Sequence, residues 1–283
     1  AYLMRTFAKA AQEVANELPP PTDAHPADEA GEANDDLFPL LGLADLAALP
    51  PVSWLVEGFI PNGSLCLMYG PPKQGKSFIA LDMMLHVAYG KPWHGRPVDQ
   101  GAVVYIVAEG KGGFGKRTEA WRKAHECASK DAPFKALPRP IQMLDLAEAD
   151  RLVRTIRAKF PPGTPIRAVV IDTLARCFAG GDENSTKDMT AFVAACDRIR
   201  EELGAAVIVV HHTGKDRDRG SRGSNALPAA IDAAFEVTKS KSTVTLKTIF
   251  QKDADEAPPI SFEMKSVEVV NAETGEKATS CVL

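Results

Sequence analysis

Leu65-Cys-Leu-Met-Tyr-Gly70-Pro71-Pro72-Lys73-Gln74-Gly75-Lys76-Ser77-Phe78-Ile-Ala80 is the stretch on which the reading of this chain turns. Its first five residues are apolar enough for a buried strand. After Ser77 the apolar residues Ile79, Ala80, Met83, Met84 and Val87 recur at helical spacing. Between them stands G-x-x-x-x-G-K-S, the phosphate-binding pattern, in the strand-turn-helix setting that it requires. Gly70 and Gly75 allow a tight turn that brings main-chain N–H groups to phosphate oxygens. The helix that starts near Gly75 turns its positive end towards the same anion. Lys76 can reach the β- and γ-phosphates, and the Ser77 hydroxyl can hold Mg²⁺. Residues 70–78 are therefore expected to bind a nucleoside triphosphate with Mg²⁺. No guanine-reading Asn/Thr-Lys-x-Asp pattern is evident, which favours ATP.

Composition narrows the setting. The 283 residues are 45% hydrophobic and 25% charged, with a net charge of −4. That is ordinary for a globular protein, and it argues against wholesale coating of nucleic acid while leaving room for a local basic patch. The five cysteines form no C-x-x-C pair. Cys66, Cys177 and Cys196 sit in apolar runs, as buried thiols in a reducing cytoplasm would. No apolar run approaches the ~20 residues needed to cross a bilayer. The first residues have no sustained apolar region and make a poor signal peptide.

Residues 1–18 read as a tail or a short amphipathic helix. Residues 19–36 are acidic, Pro-rich and without large apolar side chains, so they read as a linker. Residues 37–283 are then one P-loop domain, beginning with a Pro-broken strap (37–64). In the strap, Trp54 is a core or edge residue or a stacking surface for a base. Ala102–Ala108, Ala168–Ile171 and Ala205–Val210 are continuous apolar runs, as strands buried on both faces are. A short strand is expected at 141–144. Helices are expected at 114–128, 147–160 and 185–203, the last opened by Ser185 with Asp188 and closed by Gly204. Ile231–Thr238, Ser242–Phe250 and Ile260–Val270 read as strands that extend the sheet in antiparallel fashion. The fold class is α/β: a doubly wound, mainly parallel sheet with helices on both faces and antiparallel C-terminal strands.

Such sheets bind ligands beyond the C-terminal ends of their strands. Asp172 follows Val-Val-Ile there, either placed to hold Mg²⁺ or ending its strand for turn reasons, and the P-loop upstream favours the ion. Glu109 ends the strand after the P-loop, either as the base that orients attacking water or as a capping or ion-paired residue beside Lys111 or Lys116. His211 and His212 end the strand after Asp172. No third His or Cys stands at ligand spacing, which disfavours zinc there and leaves a γ-phosphate contact or a satisfied strand-end histidine. Beyond them Thr213–Asn225 carries Lys215, Arg217, Arg219 and Arg222 among Gly, Ser and Asp, either as a solvated loop or as a contact for a nucleic-acid backbone.

Together, Ala-Glu-Gly (108–110), Val-Val-Ile-Asp-Thr-Leu-Ala-Arg (169–176), Val-Val-His-His-Thr-Gly-Lys (209–215) and Ser-Arg-Gly-Ser (221–224) resemble the RepA-type branch of RecA-like ATPases. These are plasmid and phage proteins related to ring-forming replicative helicases. The resemblance spans about Trp54 to Val237. It implies a RecA-like core, Glu109 as catalytic base, Asp172 as the Mg²⁺ carboxylate and His212 as γ-phosphate sensor. It further implies a cytoplasmic homo-oligomer (a hexameric ring or a filament) that acts on single-stranded DNA. One departure stands out. The arginine finger expected shortly after Ser224 is missing from Asn225–Glu236, which leaves Arg217, Arg219, Arg222, Lys239 or Lys241 for that part, or a slow ATPase. The expected function is ATP hydrolysis coupled to binding of, or movement on, single-stranded DNA. The alternatives are a recombination or repair ATPase without unwinding, and a nucleotide-dependent adaptor with little DNA binding.

Overall fold

Three apolar runs of the sequence become the centre of an eight-stranded sheet in the computed structural model, which describes residues 40–213, 226–270 and 275–283. Residues 1–18 and 19–36, and the basic residues Lys215 to Arg222, lie outside the described residues. The chain divides into two compact units, one up to Leu49 and one from Pro50 to Leu283. In the first, the described residues form a five-residue helix, Leu43–Ala47, whose Asp45 carboxylate accepts a bond from the Gly42 N–H.

The second unit begins with a small antiparallel pair, β1 (Trp54–Val56) and β2 (Ile60–Pro61). Leu55, Val56, Phe59 and Ile60 are buried here, while Trp54 is half-buried. β3 (Leu65–Gly70), β4 (Ala102–Val107), β5 (Phe134–Leu137), β6 (Ile166–Asp172), β7 (Ala206–His212), β8 (Ala233–Ser240), β9 (Thr243–Gln251) and β10 (Ile260–Glu263) form the main sheet. Its order is β10-β9-β8-β3-β7-β6-β4-β5. β8, β3, β7, β6, β4 and β5 run parallel, and β9 and β10 close one side in antiparallel fashion. This is the expected RecA-like α/β arrangement.

Burial on both faces explains the continuous apolar runs. On one face Met68, Tyr105, Val170, Ile208 and Phe235 pack against Ile79, Met83, Trp93 and Trp121. On the other, Leu67, Val104, Ile106, Val169 and Val209 meet Leu152, Ile156, Phe192 and Ile199. Each fully buried side chain of this size stabilises the fold by about 1.5–3 kcal/mol relative to exposure. The helix Thr186–Leu203 supplies part of the second layer. Its Ser185 hydroxyl accepts from the Asp188 N–H and left-handed Gly204 ends it, as expected. The reciprocal half of the capping box is absent, because the Asp188 carboxylate accepts from the Asp182 N–H instead.

Three expectations need correction. Residues 141–144 are not a strand. The strand is β5, paired with β4 at the sheet edge, while Ile141 and Met143 bury themselves without pairing. The run 260–270 is not one strand of the main sheet. β10 ends at Glu263, and β11 (Lys265–Val270) pairs with β12 (Lys277–Val282) in a separate hairpin that packs on the helix Lys111–Ala124. β8, expected to extend the sheet antiparallel, lies parallel to β3. The sheet reverses only at β9.

Candidate functional site

Parallel register brings the strand ends together. Gly70 on β3 stands opposite His212 on β7, and Asp172 on β6 stands opposite Val107 on β4 and Val210 on β7. The Thr213 N–H donates to Gly70 O, and the Ala108 N–H donates to Asp172 O. The P-loop, Glu109, Asp172 and His212 thus share one end of the sheet.

The loop is shaped by what a side chain would strike. Gly70 has φ +149°, and a Cβ there would lie 2.3 Å from Val237 O. Gly75 has φ +96° and caps the helix Lys76–Tyr89, and a Cβ there would lie 3.1 Å from the Val244 methyls. Both positions therefore demand glycine. β8 and β9, the strands beyond the expected motif, form the wall behind the loop. The Lys239 N–H also donates to the Gln74 side chain.

Lys76 is buried and donates to Gly70 O at 2.7 Å and to Pro71 O at 2.8 Å. Burial pulls its ammonium down to about 8, while the carboxylates of Asp172 and Glu109 pull the other way. Asp172 is buried as well. Burial raises its pKa, opposed by hydrogen bonding from Tyr105 and from the neighbouring Ser77 hydroxyl. The Tyr105 O–H donates to Asp172 Oδ2 at 2.7 Å, which fixes the carboxylate, and Oδ1 is buried with no hydrogen-bond partner. A buried carboxylate oxygen left free beside the Ser77 hydroxyl is the hard oxygen donor set that suits Mg²⁺. The residues present therefore fit the ion that the motif implies.

Glu109 is tied to neither Lys111 nor Lys116. Its Oε1 accepts from His212 Nε2 at 3.0 Å, and its Oε2 lies 3.9 Å from Arg176 Nε. His211 lies deeper, and burial together with the nearby His212 and Lys76 charges pushes it down to about 4. It is held neutral, with its Nδ1 3.9 Å from the Glu183 carboxylate.

Two site residues escaped the sequence reading. Tyr105 lies inside an apolar strand run and looks like core until its hydroxyl is seen on Asp172. Arg117, on the charged helix Lys111–Ala124, places its guanidinium 4.9 Å over the Phe78 ring, and its charge favours the ionised Asp172. Neither spacing nor residue type distinguishes Arg117 from its exposed neighbours.

No helix among the described residues is long and apolar enough to cross a membrane, and all five cysteines are free. No curated protein matches the chain. Residues 36–218, well over half of the chain, match the AAA domain family. That span holds the P-loop, Glu109, Asp172 and His212, the four features that the fold gathers at one sheet end. The chain belongs to the AAA domain family, and it is a nucleotide-hydrolysing P-loop ATPase.

Proposed function

We propose that this ATPase works as a RecA-like, RepA-type oligomer in the cytoplasm that couples ATP hydrolysis to binding of, or movement on, single-stranded DNA. The observation that carries the reading is the Glu109–His212 hydrogen bond at 3.0 Å. It joins the candidate base to the last residue of β7, immediately before the basic stretch Thr213–Asn225 begins.

In this reading the P-loop N–H groups and Lys76 hold the β- and γ-phosphates of ATP. Ser77 and Asp172 hold Mg²⁺, which when bound neutralises charge that builds up on the phosphate oxygens. Glu109 orients a water in line with the γ-phosphorus and takes its proton as the bond to the β–γ bridging oxygen breaks. His212 exchanges its bond to Glu109 for one to the γ-phosphate. That exchange releases the base and transmits the presence of the γ-phosphate to Lys215, Arg217, Arg219 and Arg222. The basic residues take the phosphate backbone of the DNA. One of the three arginines, given across a subunit boundary, supplies the missing finger, a contribution of about 10³–10⁵ in turnover.

The test is the ATPase rate with and without a single-stranded oligonucleotide at several salt concentrations, with mass in solution measured alongside. Stimulation that fades with salt, lost on changing the four basic residues to Ala, is the expected result. No stimulation and no salt-dependent binding would favour the adaptor. Stimulation without displacement of a strand from a forked duplex would favour a recombination or repair ATPase.

A further inference from the structure

We infer that Asp82, His86 and His125 form a second cation site, for Zn²⁺ or a similar divalent transition metal, separate from the nucleotide centre. Asp82 and His86 lie one turn apart on the helix Lys76–Tyr89, and His125 is the residue that ends the helix Lys111–Ala124. One ligating atom from each of the three lies within 4.8 Å of the others. His86 Nδ1 is 3.6 Å and His125 Nε2 is 3.8 Å from the same oxygen, Asp82 Oδ1. Neighbouring ligands around tetrahedral zinc stand about 3.3 Å apart, as bonds of 2.0–2.1 Å require. The two imidazole–carboxylate separations need a contraction of only a few tenths of an ångström, and the two imidazole nitrogens already lie within 4.8 Å of each other.

The surroundings are organised around the carboxylate. The Trp121 Nε1–H donates to Oδ1 and the Trp93 Nε1–H to Oδ2, each at 2.7 Å. His94 Nε2 stands 3.3 Å from Oδ2. These contacts fix the orientation of the carboxylate, as outer-shell groups orient metal ligands. Asp82 is only 2% exposed, and burial favours the neutral, ligating form of His86 and His125. His86 Nδ1 also contacts Asp82 O at 2.8 Å. Ligation by Nδ1 exchanges that hydrogen bond for the metal, with the ring proton on Nε2. The His86 and His125 rings pack against Trp121 and against each other, which holds both imidazoles beside the carboxylate. The donor set of two imidazoles and one carboxylate suits zinc or cobalt better than Mg²⁺, and it leaves a fourth position for water. The ion would clasp the P-loop helix to the end of the next helix, about 9 Å along the helix axis from Lys76.

The test is titration of EDTA-treated protein with Co²⁺ in excess Mg²⁺, followed by the visible absorption of low-coordinate cobalt. One equivalent per chain is expected, displaced by Zn²⁺. His125→Gln, at a half-buried helix end, should weaken binding by about 10²-fold or more, and His94→Ala by about 10-fold. X-ray absorption at the zinc edge of the wild-type protein should show two imidazole nitrogens, and it does not depend on any variant folding. Absence of cobalt binding, binding unchanged in a folded His125→Gln protein, or a zinc shell without imidazole would each overturn the site.

Discussion

Glu109 Oε1 and His212 Nε2 share a 3.0 Å hydrogen bond across 103 residues of sequence. Parallel pairing in the order β3-β7-β6-β4 makes this possible, because it delivers the ends of β4 and β7 to the same side of the P-loop. A carboxylate that accepts from an imidazole is held in place but is engaged on one oxygen. Glu109→Gln keeps that contact and removes the basicity. The variant should bind nucleotide as the wild type does and lose about 10²–10⁴ in turnover, read from steady-state phosphate release beside nucleotide titration. Wild-type turnover would show that another group activates the water.

His212→Ala should separate two activities. With the imidazole gone, the contact of Glu109 that remains among the described residues is the longer one to Arg176. Basal hydrolysis should fall modestly, while stimulation by single-stranded DNA disappears. Comparing the rate with and without oligonucleotide checks this, and retention of full stimulation would exclude His212 as the coupling residue.

Gly70→Ala tests the wall behind the P-loop. The added methyl would lie 2.3 Å from Val237 O, a main-chain atom of β8 that cannot swing aside, at φ +149°. Strand displacement of this kind costs about 1–3 kcal/mol from overpacking, with backbone strain in addition. The expected outcome is a lower denaturant midpoint together with loss of nucleotide affinity. The coupling of the two effects is the point, because β8 lies outside the recognised motif yet sets the loop's shape.

Much of this arrangement was legible in the sequence for a physical reason. Strands buried on both faces cannot carry polar residues internally, so Asp172 and Glu109 stood out at their ends. The P-loop helix declared its start through Gly75. Edge elements gave less. β5 is Phe-Lys-Ala-Leu with its middle residues exposed, whereas Ile141 and Met143 offer an apolar run that buries without pairing. The break at Met264 was hidden for a similar reason, since both sides of it alternate like one strand. Tyr105, Arg117 and the group around Asp82 act through contacts between elements. His125 reaches Asp82 from a different helix, and no spacing along the chain encodes that meeting.

Lys76 should make nucleotide binding pH-dependent. Its ammonium is buried and titrates at about 8. Phosphate charge beside it restores the protonated form. Above pH 8 the free protein has lost that proton and the complex regains it, so binding takes up close to one proton at pH 9. Affinity should fall about tenfold per pH unit above 8. Calorimetry in two buffers of different ionisation heat measures the uptake directly. Identical heats at pH 9 would count against it.

His211 should make stability fall in acid. Its ordinary value is 6.5, and the folded protein holds it near 4. Between those values the unfolded chain carries a proton on this ring that the folded chain lacks. Stability is therefore complete above 6.5, declines as pH drops through the window and levels off below about 4. The loss attributable to this one ring is on the order of 2–3 kcal/mol. His211→Gln removes the titrating group while keeping a polar side chain at the end of β7. Denaturant unfolding at pH 7.5, 5.5 and 4.5 should show a steeper decline in the wild type than in the variant. Parallel pH profiles would assign the acid sensitivity to other groups.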